Sequence, residues 1–379
     1  MFDLDTLPTI DPANRIHLER YIRHLELRQL RLHTVRTKVW RVYPFLKWYK
    51  FQDAKTVTQN AIEDYILHRR QTVSPFTLQG DILELKMFYR FLLPKKEKKF
   101  FENIVIKRPR RQLPVDQLIT REDLSRMIDA CEMPRDRALL MLLWDSGARI
   151  TEILSLNIRH VQFDQYGAVI IVNGKTGMRR LRLVSSVPDL QMWINMHPLR
   201  SDNNAPLFVT SRRYSGTTRR LDLRTVENKL THIAEALHIT KPVHPHAIRH
   251  ARLTDLARST GGRLGLNEME LRLVAGWERN SAMPEVYVHL SGADVERKVL
   301  EKAGILADEK AKPETTLEPI KCPRCGMKNS HYSHYCSQCS MALNKKAAMD
   351  VDESVKEAKV SPDYREIVEA VKRELGIGS

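Results

Sequence analysis

Arg149, Lys175, His246, Arg249, Trp277 and Tyr287 are the residue types from which a phosphodiester-cleaving site can be built without a metal. A phosphodiester resists attack because its oxygens are negatively charged. Fixed cations must therefore face the nonbridging oxygens, a nucleophile must reach phosphorus, and a donor must protonate the leaving oxygen. Two arginines offer forks suited to bidentate phosphate contacts, and a lysine offers a mobile charge whose pKa can be lowered. Tyrosine can carry a covalent intermediate. His246 and Arg249, three residues apart, fall on one face of a helix and can reach the same phosphate.

The elements that must hold these residues follow from periodicity. Residues 14–112 read as helical, with apolar positions at helical spacing near 14–30, 34–48, 57–70 and 75–92, and with Pro44 expected to kink or interrupt the second segment. Residues 94–116, rich in Pro, Lys and Arg, lack that period and read as a linker, either a solvated spacer or a strap on a phosphate backbone. Thr120 and Asp123 form a capping-box pattern ahead of Leu124, Met127 and Ile128. ALLMLLW at 138–144 reads as a buried helix. Residues 166–184 alternate like a hairpin whose turn, NGKTG, carries Lys175. Helices are expected at 186–197, 222–238, 246–258 and 266–276. In SGAR, Gly147 lets the chain turn so that Arg149 faces a site while Ile150, Ile153 and Leu154 bury the helix behind it.

Charge sets the class of partner. The 379 residues carry a formal net charge of +16, and residues 1–112 hold 23 Lys and Arg against 12 Asp and Glu. That balance favours a polyanion through counterion release. No apolar run approaches the ~18 residues that span a bilayer, and MFDLDTLPTI is acidic where a signal peptide is basic. A cytoplasmic protein is expected.

CPRC (322–325) and CSQC (336–339) are two knuckles ten residues apart, a spacing that lets Cys322, Cys325, Cys336 and Cys339 surround one structural Zn²⁺. Disulfides are the competing reading, disfavoured in a reducing compartment. Cys131 stands outside the cluster and reads as a buried apolar residue. A hydrophilic stretch, 306–320, precedes this ribbon and sets it apart as a module that touches either DNA, through Lys321, Arg324 and Lys328, or another protomer. Residues 350–376 read as a charged tail ending in a helix.

Four strings in order, SGARITEILSL (146–156), NGKTGMRRLRLV (173–184), HAIRH (246–250) and AGWERNSAMPEVYVHLSG (275–292), resemble the signature of tyrosine recombinases, the phage-integrase and Xer-like enzymes. The resemblance spans about residues 12–305, and a C-terminal ribbon is also found in some archaeal-type members. It implies a mainly α protein with a small antiparallel sheet. An N-terminal helical, SAM-like core-binding domain (12–112) would precede an α+β catalytic domain (117–305), a linker (306–320), a zinc ribbon (321–343) and a tail (344–379).

The resemblance further implies that Arg149 is the first catalytic arginine with Glu152 as its support, that Lys175 protonates the departing 5′ oxygen, and that His246 and Arg249 bind the phosphate. Tyr287 would be the nucleophile. Arg179 and Arg180 stand close to Lys175 and compete for its role. Trp277 occupies a place where many relatives carry histidine. Its indole N–H can donate to a phosphate oxygen but cannot shuttle a proton, so acid–base work is expected of Lys175 and His246. Tyr287 follows Trp277 by ten residues, one more than the family's common spacing. His250 reads as a structural contact, His244 as a bystander, and Tyr214, Tyr332 and Tyr335 as ordinary aromatics. No nucleotide or catalytic metal is implied. The expected partners are double-stranded DNA and further copies of the chain in a tetrameric synapse. Alternatives are a type IB topoisomerase-like relaxase, and a noncatalytic DNA-binding protein on the same scaffold.

Overall fold

The computed structural model describes residues 4, 7, 10–106, 115–174, 176–210, 218–258, 265–281, 283, 284, 287, 300, 303, 317–360 and 366, with side chains in the C-terminal helix described to 354. The chain divides into two units, Met1–Arg111 and Gln112–Ser379.

The first unit contains α1 (Pro12–Leu27), α2 (Leu32–Trp48), α3 (Gln59–Thr72), α4 (Pro75–Leu92) and α5 (Pro94–Phe100). Three of these helices start on a side-chain cap. Asp11, Thr58 and Ser74 each accept a backbone N–H of the first turn, satisfying a donor that has no partner inside the helix. Leu18, Tyr21, Ile22 and Leu25 recur along one side of α1 and are buried in a core with Phe45, Tyr65, Phe88 and Tyr89. Two expectations are corrected here. α2 continues through Pro44, so the interruption does not occur, although Pro44 has no N–H to offer the Trp40 carbonyl. The basic run after Leu93 is not a spacer: it forms α5, whose Phe100 is buried together with Phe101 beyond its end, while buried Glu97 accepts from Arg90 at 3.4 Å. The lysines face outward and hide the two phenylalanines that anchor the segment. Residues 107–114 of that stretch lie outside the described residues.

The second unit begins with α6 (Arg121–Asp129), where the Thr120 hydroxyl accepts from Asp123 N–H at 3.1 Å and the Asp123 carboxylate accepts from Thr120 N–H at 3.0 Å. α7 (Pro134–Ser146) is buried around almost its whole circumference, as ALLMLLW requires. α8 (Ile150–Leu154) follows. The hairpin is present as β2 (Gly167–Gly174) and β3 (Gly177–Leu183), and a strand not foreseen in VQFD, β1 (Val161–Asp164), pairs on its far side to give an antiparallel sheet of order β1-β2-β3. Asp145 at the end of α7 accepts from Val184 N–H at 2.8 Å and Ser186 N–H at 2.9 Å, which ties the sheet's exit to the helix. Four helices then lead to the site and the tail: α9 (Val187–Asn195), α10 (Leu223–Ala236), α11 (Pro245–Ala257) and α12 (Glu268–Ala275). Among the described residues no helix is long and apolar enough to cross a membrane.

The cysteine segment does not stand apart from this unit. Leu317 ahead of it is buried in the same core as α6, α7 and the sheet. The two knuckles repeat one backbone pattern. Cys322 and Cys336 each donate N–H at 2.8 Å to a carbonyl five residues on, and Gly326 and Ser340 occupy equivalent left-handed positions, at φ of 76° and 56°. Between the knuckles, the Tyr332 hydroxyl donates to Asp189 of α9, Arg137 of α7 lies 5.4 Å from the Tyr332 ring, and His331 meets the Ser125 hydroxyl of α6 at 3.3 Å. Burial pushes the Asp189 carboxyl above its ordinary range against the opposing Tyr332 bond, and burial draws His331 down to about 4. The tail opens on α13 (Lys345–Val360), and the helix expected at its end lies, but for residue 366, outside the described residues.

Tyr332→Phe removes the donor from a carboxylate that is 1% exposed. It is expected to destabilise the second unit by about 1–3 kcal/mol and to speed amide exchange in both the ribbon and α9. Exchange rising in the ribbon alone would contradict the docking.

Candidate active site

Two left-handed glycines shape the site. Gly147 caps α7 at φ 57° and Gly276 caps α12 at φ 61°, a conformation that costs residues with a Cβ about 1–2 kcal/mol. At Gly276 a Cβ would also lie 2.6 Å from Arg179 Nη1. Arg249, on α11 and buried, donates 2.6 Å bonds to the Gly147 and Ala275 carbonyls, so the ends of both capped helices converge on one guanidinium. A guanidinium has five N–H groups. Further donors therefore remain for an anion.

Arg149 is the N-cap of α8. Its backbone N–H donates to Glu152 Oε2 at 2.8 Å, and its guanidinium donates to Glu152 Oε1 at 3.0 Å and to the Gly276 carbonyl at 3.4 Å. Glu152 thus supports Arg149 one turn away, and it also receives a second arginine. Arg179 on β3 donates to the two carboxylate oxygens at 3.0 and 2.6 Å and to the Val274 carbonyl at 3.0 Å. Gly174 permits this, because a Cβ there would sit 2.3 Å from Glu152 Oε1. Arg179, which looked from the sequence like a rival to Lys175, is therefore a strut. Its contact to Glu152 crosses 27 residues of chain, a distance no local motif encodes.

Electrostatics follow from this count. Burial pushes the Glu152 carboxyl up, but the hydrogen bonds from Arg179 and from the Arg149 N–H outweigh it and hold the group at about 2 against an ordinary 4.5. Burial, aided by the charge of Arg149, draws Arg249 below its ordinary range to about 10, still protonated at neutral pH. Arg149 and Arg179 share the one carboxylate, and Arg249 adds a third guanidinium beside them. Among these groups the site is cationic by two charges, as an anionic reactant needs.

Tyr287 is 1% exposed, and its ring lies between Trp277, with centroids 5.2 Å apart, and His250, at 5.6 Å. Leu253 and Ala275 pack beside it. Its hydroxyl bonds to His250 Nδ1. His246 is exposed at the start of α11 with its ring 5.8 Å from that of His250, so His246, Arg249 and His250 run along one face of the helix. His244 is the N-cap and accepts from Ala247 N–H at 3.2 Å. Arg149, His246, Arg249, Trp277 and Tyr287 are all in this neighbourhood. Lys175 lies outside the described residues, while the next residue, Thr176, donates its hydroxyl to the Gly276 carbonyl at 3.1 Å. His250 was undervalued in the sequence, where HAIRH directs attention to His246 and Arg249.

Residues 117–293 match the model of the phage integrase family. Over these residues the chain is similar to tyrosine recombinases. The tyrosine recombinase XerC of Salmonella typhi is 25% identical over 250 residues, covering 65% of this chain and 78% of that protein. Two solved structures share the fold. The integrase of transposon Tn1549 in complex with circular intermediate DNA superposes with a TM-score of 0.57 at 17% identity, over 76% of this chain and 99% of that one. A lambda integrase tetramer bound to a Holliday junction gives 0.55 at 12%, over 72% and 76%.

Glu152→Ala leaves two arginines facing each other without their shared counter-charge and is expected to cost about 3 kcal/mol. The acid limb follows from the lowered carboxyl. Folded Glu152 titrates near 2 and an unfolded glutamate near 4.5, so the unfolded chain takes up the proton first as pH falls. The stabilisation is complete above about 4.5 and is lost as pH falls through about 2. Urea midpoints measured across that window should fall more steeply for the parent than for Glu152→Gln, and equal slopes would contradict the assignment.

Proposed function

We propose that this chain is a site-specific DNA recombinase, integrase-like, that cuts and rejoins DNA through a 3′-phosphotyrosyl intermediate. The observation that carries this reading is the convergence of Arg149 and Arg249 on the Gly147 and Gly276 turns beside the Tyr287 ring. Arg149, Arg249, His246 and the Trp277 indole N–H hold the nonbridging oxygens. Tyr287 Oη attacks phosphorus, the bond to the 5′ oxygen breaks, and Lys175 protonates that oxygen. A 5′ hydroxyl of a partner strand then attacks the phosphotyrosine and frees the phenol. The bond energy is conserved in the protein link, so no ATP is consumed. The arginines provide the charge that Mg²⁺ supplies in other phosphoryl-transfer sites.

The N-terminal helical unit (12–112) is proposed as the core-binding DNA domain, and its excess of basic residues supports that assignment. The tetramer of lambda integrase on a Holliday junction supports a four-protomer synapse here, each strand exchange needing paired sites. A relaxase reading of the same chemistry would predict supercoil relaxation on DNA without paired sites.

The cysteine cluster is proposed to hold one structural Zn²⁺, in an archaeal-type arrangement with a C-terminal ribbon. Its four sulfur atoms lie within 4.8 Å of one another, with Cys322 to Cys339 at 3.6 Å and Cys325 to Cys336 at 3.5 Å. Tetrahedral Zn–S bonds of about 2.3 Å place sulfurs about 3.8 Å apart, so the donor set fits. Bound metal would lock the two knuckles that carry His331 and Tyr332.

A nicked suicide duplex tests the chemistry. The parent should accumulate a covalent DNA adduct that Tyr287→Phe does not form, and an adduct in the Phe variant would refute the assignment. Cys322→Ser with Cys339→Ser should release zinc and lower the unfolding temperature of the whole second unit. A change confined to residues 321–343 would show that the ribbon does not brace it.

A further inference from the structure

A phenol ordinarily ionises near pH ~10, so at neutral pH Tyr287 must give up its proton as it attacks. Trp277, stacked on one face of the ring, has only an N–H and cannot accept that proton. Arg249, close enough that the phenol's charge perturbs it, is itself a cation. On the other face stands His250, whose Nδ1 is bonded to the Tyr287 hydroxyl, with the rings 25° from parallel. His250 is half-buried, one residue after the phosphate-binding Arg249 and one turn after His246. Helix α11 therefore fixes a phosphate ligand and a basic nitrogen on adjacent residues.

We propose that His250 is the general base for the tyrosine nucleophile. This rests on the recombinase reading above and adds a residue to it. With its proton on Nε2, the imidazole presents the Nδ1 lone pair to the phenol. As Tyr287 Oη bonds to phosphorus, its O–H breaks and the proton moves to Nδ1. The P–O5′ bond breaks with its electron pair on the 5′ oxygen, which takes a proton from Lys175. In rejoining, the incoming 5′ hydroxyl returns its proton to Lys175 and His250 returns the other to the departing phenolate, so the site ends unchanged. Nucleophile activation and leaving-group protonation are thereby assigned to different residues, His250 on α11 and Lys175.

The test uses the full-length chain and a suicide duplex whose sequence is selected from a random pool as covalent adduct with the parent protein. Single-turnover adduct formation is measured for the parent, His250→Asn and His250→Ala, on an ordinary phosphate and on a 5′-bridging phosphorothiolate whose sulfur leaves without a proton. Asparagine places an acceptor oxygen near Nδ1 but cannot take up the proton. Both variants should be slower by about a hundredfold or more, and the phosphorothiolate should not restore either, while it does restore Lys175→Ala. A parent-like rate in His250→Asn would reduce His250 to a positioning residue and overturn the proposal. Recovery of His250→Ala on the phosphorothiolate would move it to the leaving-group side and overturn it equally. If His250→Asn does not unfold cooperatively, His250→Gln carries the same comparison with the same two outcomes. A folded parent that forms no adduct with any member of the pool refutes the recombinase reading instead, a result distinct from a slow variant beside an active parent.

Discussion

The carboxylate of Glu152 is the constraint on which the site depends. It is 3% exposed and bears charge only because Arg149 and Arg179 surround it. An isolated buried carboxylate would neutralise itself, and two arginines brought together without it would repel. Its position fixes three separate pieces of chain. Arg149 starts α8, Arg179 belongs to β3, and the Gly276 turn is held by both of these arginines and by Thr176. Arg249 then closes the same ring of turns from α11. In the proposed reaction the guanidinium groups would meet the phosphate already oriented, leaving little reorganisation for the moment of reaction.

What could be read in the sequence is what local physics encodes. The Thr120–Asp123 capping box, the buried ALLMLLW helix and the hairpin about NGKTG are each set by neighbouring residues, and each is present. Arg149 with Glu152, and His246 with Arg249, are pairs within one helical turn and were visible for that reason. The residues that were undervalued act across the fold. Arg179 reaches Glu152 from the sheet, and His250 reaches Tyr287 from 37 residues away. β1 is four residues long and half polar, too short for alternation to show. α5 was hidden by its lysines, since its two buried phenylalanines fall at the end of a strongly charged run.

The ribbon shows the same limit in another form. Paired CxxC knuckles are legible because metal geometry demands their spacing. Docking is not, because it rests on Tyr332 finding Asp189 across 143 residues and on Leu317 entering a core formed by other elements. A segment of this size has little core of its own. Packing against α6, α7 and α9 supplies what it lacks, and in return the second unit gains a cross-link between its first helices and α9.

The central claim is that fixed guanidinium charge, held by Glu152, does the work that a metal would otherwise do on the phosphate. Replacing the scissile phosphate by a methylphosphonate removes one negative charge while keeping phosphorus open to attack by Tyr287. Adduct formation by Arg149→Ala on the two duplexes measures the claim directly. The account predicts little or no adduct with the phosphate and clear adduct with the methylphosphonate. An Arg149→Ala protein that stays folded and cleaves the phosphate as fast as the parent would contradict it.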